Sequence, residues 1–368
     1  MPTGTPVLDD LLAVLDDRTD PADFPHAESV EQKVLVYSAD GVRAAPPAEL
    51  VRAFADGPGV VVVRGALERR VVDRATAEFD AMVAEQHAAG RQVGDHFAAV
   101  DENGRGTNDR VWNALEKLAV RAPDVFVDYY ASDVLALVAL AWLGPGYQVT
   151  SQVNVVHPGG QAQVGHRDYH LGFLPPTEIV RYPAHVHRLS PVLTLQGAVA
   201  HADMPVESGP TLYLPHSQKY GDGYLATALP EFARYFEEHH VQLPLRTGDA
   251  AFFNPAVIHG AGTNRTADVR RTANLLQISS AFGRAMESVD RARVCRAVYP
   301  HLRPGHEHAI AAAAEGYAFP TNLDRDPPVD GLAPPSQADL VRRAVTEGWD
   351  AEAFDAALTE HAARRDTH

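Results

Sequence analysis

Apolar residues recur at two spacings along this chain, and the change of spacing divides it. Over "ERRVVDRATAEFDAMVAEQHAAG", residues 68–90, they fall three and four apart and a glycine closes the run, which predicts a long amphipathic helix. "PPAELVRAFADG", residues 46–57, predicts a shorter helix, and "GVVVVRG" (59–65) predicts a buried strand between glycines. Residues 1 to about 57 otherwise read as mostly helical, so that 1–146 forms a helical part carrying one or two strands. From Tyr147 the period shortens. "YQVTSQVNVVHPGG", "SPVLTLQGAVAH", "GPTLYLP", "VQLPLRTGDAAFFNP" and "RRTANLLQISSAF" are rich in β-branched and aromatic residues and are separated by Gly, Pro, Asn or Asp. Several short strands with turn signals between them predict an all-β sandwich or barrel of the jelly-roll kind over 147–283. Residues 284–368 return to helix, ending in two helices within "PSQADLVRRAVTEGWDAEAFDAALTEHAARR". The expected architecture is one domain, a β core wrapped by helices from both ends.

Within the β core, "VGHRDYHLGF" (164–173) sets His166 and Asp168 two residues apart. In a strand, positions i and i+2 share a face, so both can present a donor atom to one point. A third donor should come from a later strand that returns beside the first. His259, before the glycine-rich turn of "GDAAFFNPAVIHGAGTNRT", is placed for that role. Two histidines and one carboxylate on a single face leave the opposite face open, the arrangement of a non-haem iron(II) centre that admits a co-substrate and dioxygen. By itself a His-x-Asp pair is weak, because rival clusters exist at His185-Val-His187 and His239-His240.

Arg270 lies eleven residues beyond His259. A turn of that length is expected to place it on a paired strand and pointing into the same cavity. There a guanidinium could hold a carboxylate in a bidentate fork, with the Thr272 hydroxyl on the same face. Such an arginine would anchor the distal carboxylate of 2-oxoglutarate. Arg271 is expected to point the other way, into solvent. Gln152 and Asn154 share a face of the strand leading to the metal loop. They either bind the carboxylates of 2-oxoglutarate or satisfy backbone at a sheet edge, and Gln196 carries the same two readings. Tyr169 and His170 are expected at the cavity mouth as substrate contacts. Trp112 and Asn113 in "RVWNALEK" read as part of a lid or, in preference, of an amphipathic helix with a buried tryptophan, and His185 and His187 as loop or structural histidines.

Composition narrows the partners more than the chemistry. The formal charge of −16 argues against a nucleic-acid backbone or an anionic membrane surface as partner, but favours no particular ligand; the expected partner is a small-molecule substrate. The single cysteine, Cys295, permits no internal disulfide. The acidic N-terminus has no basic segment followed by an apolar stretch, and the longest apolar run, "VLALVALAWL", is too short to span a bilayer. A cytoplasmic location is expected. The C-terminal helices are expected either to cover the mouth of the barrel or to form a homodimer contact.

The segments "HRD", "SGPTLYLPHSQK" and "GDAAFFNPAVIHGAGTNRTADVRR" together resemble the phytanoyl-CoA dioxygenase family of iron(II)- and 2-oxoglutarate-dependent oxygenases. The likeness covers about 147–280 and, more loosely, the strand and helix at 59–88. It implies a double-stranded β-helix, with iron(II) on His166, Asp168 and His259, 2-oxoglutarate on Arg270, and dioxygen as the second co-substrate. Two departures stand out: "PHSQ" replaces the family's usual "PGSH", and Gln196 stands near a position where many relatives place a tryptophan. They weaken any transfer of an acyl-CoA substrate. Related halogenases lack the carboxylate ligand, so Asp168 favours hydroxylation, desaturation or ring formation, and family habit points to natural-product tailoring. The same β core without redox chemistry would serve a metal-dependent isomerase, a hydrolase or a small-molecule binding module.

Overall fold

The computed structural model describes residues 5–90 and 108–367. Ten strands are present among them: β1 Ser29–Glu31, β2 Val34–Ser38, β3 Val60–Arg64, β4 Asn108–Val111, β5 Gln148–Val156, β6 Thr194–Ala200, β7 Leu212–Leu214, β8 Ala250–Phe253, β9 Ile258–Gly260 and β10 Arg271–Ser279. Eight form one sheet in the order β1-β2-β3-β8-β6-β10-β5-β4, and β7 pairs with β9 in a second layer. Bridges from His166 to His259 and from Tyr213 to Val241 widen that second layer. Only β2–β3 is parallel; every other pairing is antiparallel. Consecutive strands of the core thus alternate between two facing sheets, which is the double-stranded β-helix expected from the sequence.

Alternation along the strands decides what each face of the large sheet does. On β5, Val149, Val153 and Val155 join the main apolar core under the helices, whereas Gln152 and Asn154 point between the sheets. On β10, Leu276 and Ile278 face the helices, and Arg271, Ala273, Leu275 and Gln277 face inward. β6 and β8 follow suit, with Leu195, Val199, Ala250 and Phe252 outward and Gln196, Ala198, Ala200, Ala251 and Phe253 inward. One face of the sheet is therefore a sealed helix–sheet core and the other lines a cavity. The long helix Arg69–Ala88 and the helices Ala114–Arg121, Pro123–Tyr130 and Asp133–Leu143 supply the apolar layer. The C-terminal helices Gln337–Glu347 and Ala351–Arg365 add to that layer through Val341, Ala344, Phe354 and Leu358. None of their residues lines the cavity.

The N-terminal part departs from expectation in its number of strands, one or two having been expected beside the helices. It holds four strands, and β1 and β2 extend the large sheet. The hairpin between them turns on Gln32 and Lys33, both in the left-handed region (φ 50° and 71°), where a glycine or asparagine would have signalled the turn. Trp112 also departs. β4 ends at Val111, Asn113 takes a left-handed φ of 48°, and the helix starts only at Ala114, so Trp112 is not a helical core residue. No single helix among the described residues is long and apolar enough to cross a membrane.

Candidate active site

His166 and His259 form a bridged antiparallel pair, exchanging backbone hydrogen bonds of 2.9 and 3.0 Å. The pairing brings the two imidazoles side by side, with ring centroids 4.5 Å apart. The Asp168 N–H donates to the Pro255 carbonyl at 3.1 Å, turning the carboxylate toward the same point. Asp168 Oδ1 lies 3.5 Å from His166 Nε2 and Oδ2 lies 3.4 Å from His259 Nε2. All three donor atoms fall within 4.8 Å of one another, and no other group of three or more among the described residues does so.

The electrostatics favour a cation. His166 Nδ1 is 2.8 Å from the Val164 carbonyl and His259 Nδ1 is 2.9 Å from that of Val257. A carbonyl can only accept, so each Nδ1 carries the proton and each Nε2 is left with its lone pair toward the cluster. Burial works to raise the pKa of Asp168. It is outweighed by His259 and His166, whenever these rings carry a second proton at Nε2, and by the Gln196 amide, which together hold the carboxyl below its usual range. Gln196 Nε2 donates to Asp168 Oδ2 at 2.5 Å, and Gln277, its register partner on β10, accepts from the same nitrogen at 3.4 Å. Two neutral imidazoles of fixed tautomer and one ionised, oriented carboxylate suit iron(II) as a donor set.

Arg167, between the two ligands, points away from them. It is buried against the ring of Tyr224 at 5.3 Å, and its Nη2 donates to the carbonyls of Ser217 and Tyr220 at 2.5 and 2.9 Å. This anchors the metal loop from behind, and it demands a glycine at 223, where a Cβ would sit 1.8 Å from the guanidinium carbon.

The cluster opens into a cavity of about 650 Å³ between the sheets, within the usual range for a small-molecule site. Gln152, Asn154 and Gln196 all line it. Gln152 Oε1 accepts from Arg110 Nη2 at 2.6 Å.

Five expectations are overturned. Arg270 points outward, half exposed, beside Asp80 at 3.4 Å, and the cavity is lined by Arg271 instead. Thr272 does share Arg270's face, but that face is turned from the cavity, and its hydroxyl lies 3.5 Å from Arg270's own carbonyl. Register explains both: Ala273 pairs with Asn154 and Leu275 with Gln152, so the odd residues of β10 join the inward row. Tyr169 and His170 do not reach the mouth either. Both take left-handed backbone angles (φ 67° and 43°), which turn the chain sharply after Asp168. Tyr169 is buried under Phe173, with ring centroids 5.6 Å apart, and His170 Nδ1 lies 3.2 Å from Ser190 Oγ. Phe173 takes the place at the mouth.

Of the residues that sequence reasoning passed over, Arg271, Arg110, Trp112, Gln277 and Met286 line the cavity. The alternation of β10 groups Arg271 with Gln277, but the sequence does not set which phase faces the cavity. Nothing in the sequence pointed to Met286.

A facial two-histidine, one-carboxylate centre inside a double-stranded β-helix, with an inward arginine, defines the class: a non-haem iron(II)- and 2-oxoglutarate-dependent oxygenase, which uses dioxygen. The chain belongs to the phytanoyl-CoA dioxygenase family, whose model matches residues 55–272, more than half its length. Among curated relatives, the dioxygenase olcK of Penicillium canescens is 24% identical over 270 residues, spanning 73% of this chain and 81% of its own. Among solved structures, the non-heme alpha ketoglutarate dependent carbocyclase SnoK from nogalamycin biosynthesis aligns at a TM-score of 0.49 and 19% identity, over 72% of this chain and 93% of its own. The epimerase SnoN from the same biosynthesis aligns at 0.41 and 21% identity, over 64% and 84%.

Proposed function

We propose that the protein hydroxylates, desaturates or cyclises a small organic molecule in natural-product biosynthesis, with His166, Asp168 and His259 as iron ligands and Arg271 as the anchor for 2-oxoglutarate. The observation that carries this reading is the convergence of two imidazoles, one carboxylate and the buried Arg271 guanidinium on a single cavity. Iron(II), when bound there, activates dioxygen at the expense of 2-oxoglutarate, which is decarboxylated to succinate.

The side chains divide the remaining work. Arg271 grips the distal carboxylate of the co-substrate in a charge-assisted fork. Its guanidinium is steadied by donating to the Gly262 carbonyl at 3.2 Å. That carbonyl lies where Gly209 and Gly262 meet so closely that a Cβ on Gly209 would sit 2.4 Å from it. Gln196 restrains the Asp168 carboxylate, and the carbonyls of Val164 and Val257 keep both imidazoles neutral and oriented. Gln152 and Asn154 offer amide contacts to the ligands. The small apolar inner face formed by Ala198, Ala200, Ala251 and Ala273 leaves room for two ligands and keeps competing water out.

The test is turnover without substrate. Purified protein given iron(II), 2-oxoglutarate and air is expected to form succinate slowly, and Arg271→Ala is expected to lose that formation. Absence of both succinate and 2-oxoglutarate binding in the natural protein would move the assignment to a non-redox isomerase, hydrolase or binding module.

A further inference from the structure

Val164, Phe173 and Met286 are 63%, 51% and 37% exposed, and all three also line the cavity. A side chain that meets both requirements marks where the cavity opens. Large apolar groups gathered around an opening indicate an apolar ligand, because scattered exposure would not converge on one mouth. Trp112 lines the same cavity and is fixed in place: the Arg110 guanidinium lies 4.6 Å from the ring centroid and donates to Gln152. Gln152 Nε2 in turn rests against Met286 Sδ at 3.4 Å. Trp112, Arg110, Gln152 and Met286 are therefore one continuous wall.

Charge argues in the same direction. Among the described residues, the charged and metal-binding groups lining the cavity are Arg110, His166, Asp168, His259 and Arg271. On the oxygenase reading, four of these serve the metal and the co-substrate. Arg110 remains, a single cation already engaged by an amide and an indole, inside a protein of net charge −16. No lysine among the described residues lines the cavity. In the adjoining hollow that shares Trp112, Arg121 pairs with Glu78 and Glu85 and Arg293 pairs with Glu116, while Lys117 shares the lining with Glu85 and Glu116. This is a poor setting for a polyanionic carrier.

We infer that the substrate is a compact, mainly apolar molecule with a planar ring, held on the wall of Trp112, Phe173 and Met286, and not a coenzyme A thioester. The inference rests on the oxygenase reading above, since it assigns the part of the cavity that metal and co-substrate leave over.

The test uses the full chain loaded with manganese(II) and 2-oxoglutarate and titrated calorimetrically with 2-naphthol as the flat apolar probe. Saturable binding is expected. Phe173→Ser and Met286→Ser are each expected to weaken it about tenfold, the scale of one lost aromatic or sulfur–aromatic contact with its burial. Phe173 is exposed, so its substitution leaves the fold intact, and Phe173→Tyr is expected to restore binding to within about threefold because the ring is kept. Octanoyl-coenzyme A at equal concentration is expected not to displace the probe. Displacement by the thioester, indifference of 2-naphthol to both serine variants, or no 2-naphthol binding to protein that does take 2-oxoglutarate overturns this inference alone. Failure to take up 2-oxoglutarate overturns the oxygenase reading, and this inference with it.

Discussion

Among the described residues, two constellations of histidine, aspartate and histidine are built for different ends. In the cavity, His166, Asp168 and His259 approach to 3.4–3.5 Å between nitrogen and oxygen, with both Nδ1 atoms committed to backbone carbonyls. On the outside, His87 Nε2 meets Asp109 Oδ1 at 2.5 Å and His157 Nε2 meets Oδ2 at 2.7 Å. The outer carboxylate is consumed by direct hydrogen bonds, one imidazole per oxygen, so the ring nitrogens that would serve as ligands donate protons instead. The inner set holds its nitrogens apart from the carboxylate and leaves a space among them. The composition is the same, but tautomer and spacing separate a metal site from a surface tie.

The largest expected effect follows directly. His259→Ala should lower metal affinity by more than about a hundredfold, beyond what changes outside the ligand set cause, whereas His157→Ala should leave stoichiometric metal in place. Metal content after dialysis, measured by atomic emission, checks both. Full metal occupancy in the His259 variant would erase the distinction between the clusters.

The same contrast recurs between adjacent arginines. Arg271→Ala should raise the dissociation constant for 2-oxoglutarate by about thirtyfold or more, the scale of a charge-assisted bidentate contact. Arg270→Ala removes only a half-exposed contact with Asp80 and should change that constant by less than about twofold. Calorimetric titration of each variant decides, and a reversed order would mean that the strand's register differs from the one described.

A smaller effect is expected from Gln196→Ala. Loss of the 2.5 Å hydrogen bond frees the Asp168 carboxylate to rotate and should weaken metal binding by about ten- to a hundredfold without unfolding the protein. Gln196→Glu should not restore it, because a second carboxylate cannot donate to the first. Unchanged affinity in the alanine variant would make the contact incidental.

How much of this was legible in the sequence depended on how local the signal was. His166 and Asp168 stand two residues apart, a spacing that brings both donors to one point although only His166 is bridged to a strand, and His259 precedes a glycine-rich turn, so both ends of the site could be found. The strands from Gln148 to Ser279 announced themselves by β-branched runs and turn residues. Arg271 was hidden because "RRTANLLQIS" reads equally well in either phase: Leu275 points inward and Leu276 outward. With period two, an error of one residue exchanges every side chain. Tyr169 was misplaced because two successive left-handed residues other than glycine leave no compositional mark. The hairpin at Gln32-Lys33 was missed for the same reason. Trp112 belongs to the site through β4, a four-residue edge strand too short to show a period.

A third histidine extends the comparison to one that is buried and holds no ion. His201 Nδ1 lies 2.8 Å from Thr76 Oγ1, whose hydroxyl is already donated to the Val72 carbonyl, so the imidazole must donate there. Its Nε2 then accepts from the Tyr129 hydroxyl at 2.9 Å, and Tyr129 accepts from Asn274 Nδ2 at 3.2 Å. Every role is filled by the neutral ring, and burial lowers the His201 pKa to about 3. In the unfolded chain the same group titrates near 6.5, so between these values the unfolded state binds the extra proton. Stability therefore falls as pH drops from about 6.5 toward 3, with a slope of at most about 1.4 kcal/mol per pH unit from this group. His201→Gln can reproduce some of the hydrogen bonds but cannot take up a proton. Urea denaturation at pH 7 and pH 5 should show a smaller loss on acidification in the variant than in the natural protein. An equal loss in both would mean that His201 is not held neutral by the fold.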